Sequence, residues 1–539
     1  MESWDAVVIG AGPNGLVAAN MLADAGWDVL VLEAQDDPGG AVRTAQVTAP
    51  GFHNDLFSAF YPLAGRSPAL TALGLEHHGL SWTQAPAVVA HPTPDGPSAV
   101  LHRSPADTAA SLDRFAPGDG DAWLALYDRW ERVGPSLVRA LLAPFPPVRP
   151  SLGLVAAVGP GSLVPFARFA LLPARRMADE HFRGAGGGLL LAGNALHADV
   201  SLDAAPSGLL GWLLASLGQD VGFPVPVGGA GQLTAALLRR LSRAGGTVLS
   251  GARVDRVMVR GRGRDARAEG VLVDGTPVGA RRAVLADVDA ERLFTRLVGP
   301  EHLSPRAEAN MATFQRGWAT VKVDWALRTP VPWRDPEVGR AGTVHLADSI
   351  DELTMGMAEI TAGRLPTDPF VVFGQMTVAD PTRSPPGTES AWAYTHLPAR
   401  LRDPRTGRDR AVTQADVDEV VRRVEARVER YATGFCGTVI ARHVLGPADL
   451  EARNANLVDG DIGSGTYQLH QQAVFRPWPG TGRAETPIEN LYLASASAHP
   501  GGGVHGACGA NAARAARWHD RLGAVGRVGR RLRPAGRAA

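Results

Sequence analysis

Trp4-Asp5-Ala6-Val7-Val8-Ile9-Gly10-Ala11-Gly12-Pro13-Asn14-Gly15, followed after an Ala- and Leu-rich stretch by Asp28-Val29-Leu30-Val31-Leu32-Glu33, decides the fold. Asp5 to Ile9 is a short apolar, β-branched run, as a buried parallel strand requires. Gly10 permits a tight turn, Gly12 lets the backbone approach a pyrophosphate, and Gly15 lets a helix pack close to the strand. The helix predicted from Leu16 to Asp24 is stopped by Gly26. Its N-terminus, with Pro13 and Asn14, offers unpaired N–H groups and a positive dipole end to phosphate. Glu33, with Ala34 beside it, ends the second strand, where a carboxylate accepts hydrogen bonds from adenosine ribose hydroxyls and repels a 2′-phosphate. Strand, phosphate loop, helix, strand and acid together predict an α/β chain built on a Rossmann-type dinucleotide domain.

Working outward, Gly39-Gly40 and Arg43 follow. A second glycine pair suits a chain passing along the extended pyrophosphate and ribityl portion of FAD, with Arg43 offering its planar fork to phosphate. Nearly the whole chain later come Leu491-Tyr492-Leu493-Ala494-Ser495, then His499-Pro500-Gly501-Gly502-Gly503-Val504-His505-Gly506 and an alanine-rich helix. A long dinucleotide held by both ends of the chain leaves this mark, and an FAD-dependent oxidoreductase is expected.

The middle of the chain returns to the first domain at Gly228-Gly229-Ala230-Gly231, which leads into a helix from Gln232 to Ala244. Strands are predicted at Val254–Val259, Gly270–Val273 and Arg281–Ala286, and a backbone group near Val254 is placed to contact an adenine edge. Gly261-Arg262-Gly263 precedes a polar loop rather than a helix and is rejected as a second nucleotide site. From about Arg316 the pattern changes: strands at Thr320–Trp325, Gly342–Leu346, Phe370–Phe373 and Ser390–Tyr394 with a helix at Asp351–Ala362 predict an inserted mixed-sheet α+β domain. A helix is expected at Val417–Tyr431. The expected organisation is an FAD domain in three parts (1–65, 221–300 and 456–522), a helical cap and substrate region (66–220), a substrate-binding domain (301–455) and a disordered basic tail (523–539).

At 539 residues the chain exceeds one ordinary core. Lys+Arg and Asp+Glu both total 54, which gives no case for nucleic-acid binding. Lys322 is the only lysine, read as a bias of composition. Cys436 and Cys508 are too few and too far apart for a disulfide framework, a metal cluster or a CxxC redox pair, so no metal is expected. No leader pattern precedes the first strand, and a cytoplasmic setting is expected. The stretch from Leu137 to Met177 mixes Leu, Val, Phe and Pro with Arg139, Arg149, Arg168, Arg175 and Arg176, and glycines and prolines interrupt any span. Two readings stand: a cap over the substrate cavity, or a surface peripheral to a membrane that admits an apolar substrate.

With these residues in view, the chain resembles the phytoene desaturase-like family of FAD-dependent oxidoreductases, in particular its branch named for a pyridine nucleotide-disulfide oxidoreductase domain. The likeness runs in order through Gly10–Gly15, Glu33, Gly39-Gly40, Gly222-Phe223-Pro224, Gly342–Leu346, Gln375 with Asp380–Arg383, Asn456–Gly463, Arg476-Pro477 and His499–Val504. It implies an amine oxidase/phytoene desaturase-like architecture with FAD as cofactor. The C-terminal loop, through Gly501, Gly502, Gly503, Val504 and His505, then closes over the isoalloxazine and ribityl part, and three glycines let backbone lie against a flat ring. The helix from Gly506 would aim its positive end at the flavin pyrimidine. Ser495, Ser497 and Gln35 depart from the family pattern.

The resemblance also implies hydride transfer from a small hydrophobic, isoprenoid- or carotenoid-like substrate to flavin N5, with an electron acceptor that the sequence does not identify. His499 and His505 are the candidates for proton handling, each weighed against a role in orienting the loop. Cys508 is read as a packing residue. A flavin-dependent isomerase and an FAD-containing binding or regulatory protein remain alternatives, and an amine oxidase is a weaker one.

Overall fold

The computed structural model describes residues 2–531. Its first sheet is centred on the strand Glu2–Ile9, which pairs in parallel with Val29–Leu32 on one side and Thr276–Ala286 on the other. Thr247–Leu249 extends the sheet beyond Val29–Leu32, and Leu491–Leu493 pairs in parallel with the end of Thr276–Ala286. Val254–Arg260 and Arg267–Val273 complete it as an antiparallel edge. Alternate residues of the first strand feed separate cores: Ala6 and Val8 pack with the helix Pro13–Ala23, whereas Val7 and Ile9 pack on the opposite face with Leu293 and Phe294. Burial on both faces explains why this strand reads as an unbroken apolar run.

The two ends of the chain lock together. The last helix, Ala507–Arg531, lies against Pro13–Ala23 so closely that a Cβ at Gly509 would fall 1.9 Å from the Asn14 carbonyl oxygen. That helix carries through residues 523–531, so the segment expected as a tail from 523 begins as helix; the rest of it lies outside the described residues. Its Ala- and Arg-rich sequence holds no proline before Pro534, and good helix formers propagate a turn that packing has already nucleated.

The second sheet runs in the order Val439–Leu445, Ala319–Leu327, Glu389–Leu397, Val371–Gln375, Ala341–Leu346, Ala87–His91 and Ala99–Leu101. It is mixed, since Ala341–Leu346 pairs in parallel with Ala87–His91 and antiparallel with Val371–Gln375. Three of its strands depart from the expected pattern. Ala87–His91 and Ala99–Leu101 arise within the region expected to be helical, and short strands separated by Pro92, Pro94 and Pro97 carry too few residues to show a period. Val439–Leu445 is an edge strand whose polar Arg442 and His443 mask its alternation. The helices Asp119–Leu142, Val148–Val158, Leu163–Leu171, Ala174–His181, Ala185–Ala195 and Ser207–Val221 form the remaining layer. Among the described residues no single helix is long and apolar enough to cross a membrane.

Candidate functional site

The loops at the carboxyl ends of the parallel strands enclose a cleft of about 460 Å³. Gly10, Gly12, Pro13, Asn14, Glu33, Ala34, Gly40 and Val254 line it from one direction, and Gly501, Gly502, Gly503, Val504 and His505 from the other. Gly12 and Gly502, 490 positions apart in sequence, thus share one wall-to-wall space (502 minus 12). Topology brings this about: Leu491–Leu493 pairs with Thr276–Ala286, which pairs with the first strand, so both loops leave the same sheet at the same end.

Each glycine of the first loop has a separate physical reason. Gly10 has φ +94°, and a Cβ there would approach the Asp287 carbonyl oxygen to 2.9 Å. A Cβ at Gly15 would stand 2.2 Å from the Gly10 carbonyl, so this residue serves helix–loop packing and does not line the cleft. Gly12, which has no side chain to cap with, precedes the helix Pro13–Ala23, and one of the helix's first N–H groups, that of Gly15, is already taken by the Asp287 carboxylate at 2.9 Å. The Asn14 Oδ1 is buried and without a partner. Glu33 accepts the Ala11 N–H at 2.7 Å and the Gln35 N–H at 2.9 Å, which fixes its carboxylate at the end of its strand.

Besides Gly15, three predicted site residues stand elsewhere. Arg43 does not line the cleft; its guanidinium pairs with Asp37 at 3.2 Å, and a neighbouring carboxylate supplies the partner that phosphate was expected to be. Gly39 lies behind the wall, where its N–H donates to the Ala11 carbonyl at 2.9 Å. His499 is also outside the lining, with its Nε2 3.0 Å from the Ala143 carbonyl oxygen, and burial pulls its pKa down to about 4. His505 does face the cleft. Burial lowers it to about 4, against the raising effect of the Gly501 and Gly502 carbonyls, and its Nδ1 accepts the Ala507 N–H at 3.0 Å. It is a neutral imidazole held by its own loop. Cys508 is buried, its thiol pushed up to about 12, in keeping with a packing residue.

Sequence reading missed several side chains that line or brace the cleft. Asp287, at the end of Thr276–Ala286, lines the cleft and accepts the Gly15 N–H at 2.9 Å. Burial raises its pKa to about 7, opposed by that hydrogen bond and reinforced by the charge of Glu33. Asn456 joins two cleft loops, its Nδ2 donating to the Asp287 carbonyl and its Oδ1 accepting the Asp289 N–H, both at 2.9 Å. In the sequence Asn456 enters only through the resemblance. Arg253, Arg292, Arg296 and Arg453 make the rim basic. Asp289, fully buried, is held by both Arg316 nitrogens at 2.7 and 2.9 Å. Ser497 accepts the Ala290 N–H at 3.1 Å and so stitches the C-terminal segment to the same loop.

Residues 8–73 match the NAD(P)-binding Rossmann-like domain. Over 95% of this chain and 92% of its relative, the sequence is 29% identical to pyridine nucleotide-disulfide oxidoreductase domain-containing protein 2 of Mus musculus. A limonene dehydrogenase component from Castellaniella defragrans is 24% identical, covering 95% of this chain and 94% of its own. The neurosporene-forming phytoene desaturase of Rhodobacter capsulatus is also 24% identical, over 93% and 91%. The chain is thus similar over nearly its whole length to phytoene desaturases and related oxidoreductases. Among solved structures, an oxidoreductase from Methanosarcina mazei superposes with a TM-score of 0.60 at 16% identity, covering 96% of this chain and 99% of the other. A redesigned putrescine oxidase gives 0.57 at 19%, with the same coverage. The chain thus shares its overall architecture with amine oxidases, and that likeness speaks for the fold alone.

Lys322, the sole lysine, is buried on the second sheet, 2.5 Å from Asp324 Oδ1 and beside Trp392. His197 and His345, assigned no role from sequence, form a pair with 3.0 Å between their Nε2 atoms, His345 fully buried and His197 partly so, and the Tyr394 hydroxyl lies 3.2 Å from His197 Nδ1.

Proposed function

We propose that this protein is an FAD-dependent dehydrogenase or desaturase acting on an apolar, isoprenoid-like substrate. The observation that carries the reading is the single cleft built from both ends of the chain. Its residues fit the cofactor: a Cβ on Gly12 would meet Asp287 Oδ2 at 2.6 Å and one on Gly40 would meet the Gly12 Cα at 3.0 Å, so bare backbone lines the path a pyrophosphate needs. The start of the helix Pro13–Ala23, in competition with Asp287, and the cleft-lining Arg296 and Arg453 are the donors a pyrophosphate would use, while the buried, unpartnered Asn14 Oδ1 can accept only from an N–H or hydroxyl of the ligand. Glu33 would hold the ribose, and Gly501–His505 the flavin end. FAD, when bound, supplies a hydride acceptor.

The remaining work falls to the chain itself. The neutral His505 imidazole can offer or take a hydrogen bond without carrying charge into the cleft. The helix Ala507–Arg531 begins at this loop and favours negative charge beside it. Relatives named for phytoene and limonene point to isoprenoid hydrocarbons, which have no polar handle, so burial and shape would supply most of the binding.

Purification followed by anaerobic titration with limonene and phytoene tests the proposal. A yellow protein whose flavin absorption bleaches on mixing supports it. A yellow protein unchanged by either hydrocarbon favours a binding or regulatory role, and a folded colourless protein that takes up no added FAD overturns the cofactor assignment.

A further inference from the structure

We propose, resting on the FAD assignment above, that the buried Arg476 is the counter-charge of the reduced flavin held by the loop Gly501–His505. Arg476 is fully buried, yet among the described residues it meets no carboxylate. Its donors go to backbone carbonyls instead: Nη1 to Thr466 at 2.9 Å, and Nη2 to Gly463, Ser464 and Ala496 at 2.9, 3.0 and 2.8 Å. The acid of the same segment, Asp461, is taken by other donors, the N–H groups of Gly317, Gly463 and Gly465 at 3.0, 2.8 and 2.7 Å. Carbonyl dipoles satisfy the hydrogen bonds of a guanidinium but leave its net charge in place. A buried cation ordinarily has an anion beside it, because burying a lone charge is costly. Here the ligand is left to supply that anion.

The position suits this role. Ser464, Ala496 and Gly501 line the cleft. The first two give their carbonyls to Arg476, and a Cβ on Gly501 would lie 3.5 Å from the guanidinium carbon. The charge therefore stands one backbone layer behind the cleft wall, shielded from water. Its field reaches His499 and Cys508, where burial dominates and the Arg476 charge disfavours the imidazolium and favours the thiolate.

Hydride transfer delivers two electrons and one proton to N5, so the ring passes from neutral to one negative charge unless a second proton follows. A fixed cation behind the wall favours that anion over both its protonated form and the oxidised ring. The helix Ala507–Arg531 starts beside the same loop and contributes a partial charge, whereas Arg476 contributes a whole one. Inside a protein a unit charge at such range changes an equilibrium by about tenfold or more.

Sulfite reads this charge directly. Its sulfur lone pair bonds to N5 of the oxidised flavin and leaves the same negative charge on the ring. Wild-type protein reconstituted with FAD should be bleached by sulfite at concentrations that leave free FAD unchanged. After reduction with dithionite it should keep the anionic spectrum about one pH unit or more further into acid than free reduced FAD. Arg476→Lys keeps the charge, and Arg476→Gln keeps donors without it. Both loosen the loop, so each is measured with FAD in excess, and the Gln variant should bind sulfite about tenfold more weakly than the Lys variant.

Should the Gln variant not fold, Ser464→Asp and Ser464→Asn decide the matter. Ser464 has φ +52°, a conformation that Asn and Asp adopt more readily than other side chains, and both leave Arg476 in place. The two differ only in charge, and the Asp variant should bind sulfite about tenfold more weakly than the Asn variant. A yellow wild type that sulfite does not bleach overturns the proposal and leaves the FAD assignment standing. Equal sulfite affinity within either pair does the same, since a merely structural clasp would disturb both members alike. A folded protein that takes up no FAD removes the cofactor assignment and this proposal with it.

Discussion

Asp287 and a pyrophosphate would compete for one helix N-terminus. The carboxyl already accepts the Gly15 N–H, and it stands where a Cβ on Gly12 would touch it. Its folded pKa of about 7 lies above the ordinary 3.8, so between those values the folded protein keeps a proton that the unfolded chain releases. Stability from this group is therefore complete below pH 3.8 and falls as pH rises through about 7, by ~4 kcal/mol at most. The same ionisation places negative charge beside the phosphate site. FAD affinity should accordingly drop as pH rises from 6 to 8 (roughly the width of one titration), and Asp287→Asn, which keeps an oxygen for Gly15, should flatten both profiles. Fluorescence titration of apoprotein with FAD and denaturant melts at each pH measure the two effects. The neighbouring glycines should separate. In Gly15→Ala the new Cβ meets backbone, the Gly10 carbonyl, and about 1–3 kcal/mol of stability should be lost. In Gly12→Ala it meets only the Asp287 side chain, which can turn away, so the fold should hold while FAD binding fails.

Among the elements, the C-terminal cleft loops depend on one buried side chain. Arg476 is fully buried, and its guanidinium donates to the carbonyls of Gly463, Ser464, Thr466 and Ala496 at 2.8–3.0 Å. Among the described residues it has no carboxylate partner, so carbonyl dipoles from two loops share its charge. Arg476→Met would strand those carbonyls away from water, and Arg476→Lys would reach too few of them with a single ammonium. Each should cost at least ~3 kcal/mol in urea unfolding and lower the flavin retained on purification. The role is invisible in sequence, where Arg476-Pro477 stands only as a point of resemblance. Elements with strong periodicity are legible: the strand Glu2–Ile9, the helices Pro13–Ala23 and Gln414–Tyr431, and the strands Ala319–Leu327 and Glu389–Leu397 lie where the pattern puts them. Ala87–His91 is not, because it is buried on both sides and bounded by prolines, and only the partner strand Ala341–Leu346 gives it a register.

At the scale of the whole molecule, the candidate site is half legible. Its two glycine loops announce themselves because backbone must approach a ligand there. Asp287, Asn456 and the cleft-lining arginines do not, since the local sequence around each carries no signal until the sheet order brings Thr276–Ala286 beside Glu2–Ile9. Arg43 fails for the converse reason: the local pattern is suggestive, and Asp37 claims the side chain. A site shared by both chain ends also ties ligand binding to global stability. At a free FAD concentration of about 100 times Kd, binding should add ~2.7 kcal/mol, which for a chain of this length raises the melting temperature by about 2–3 °C. The shift should grow with the logarithm of FAD concentration. Gly12→Ala from the N-terminal loop and Val504→Asp from the C-terminal loop should each abolish it, and the double variant should lose nothing further, because one molecule is held by both. If either variant alone retains the full shift, the two loops do not grip the same ligand.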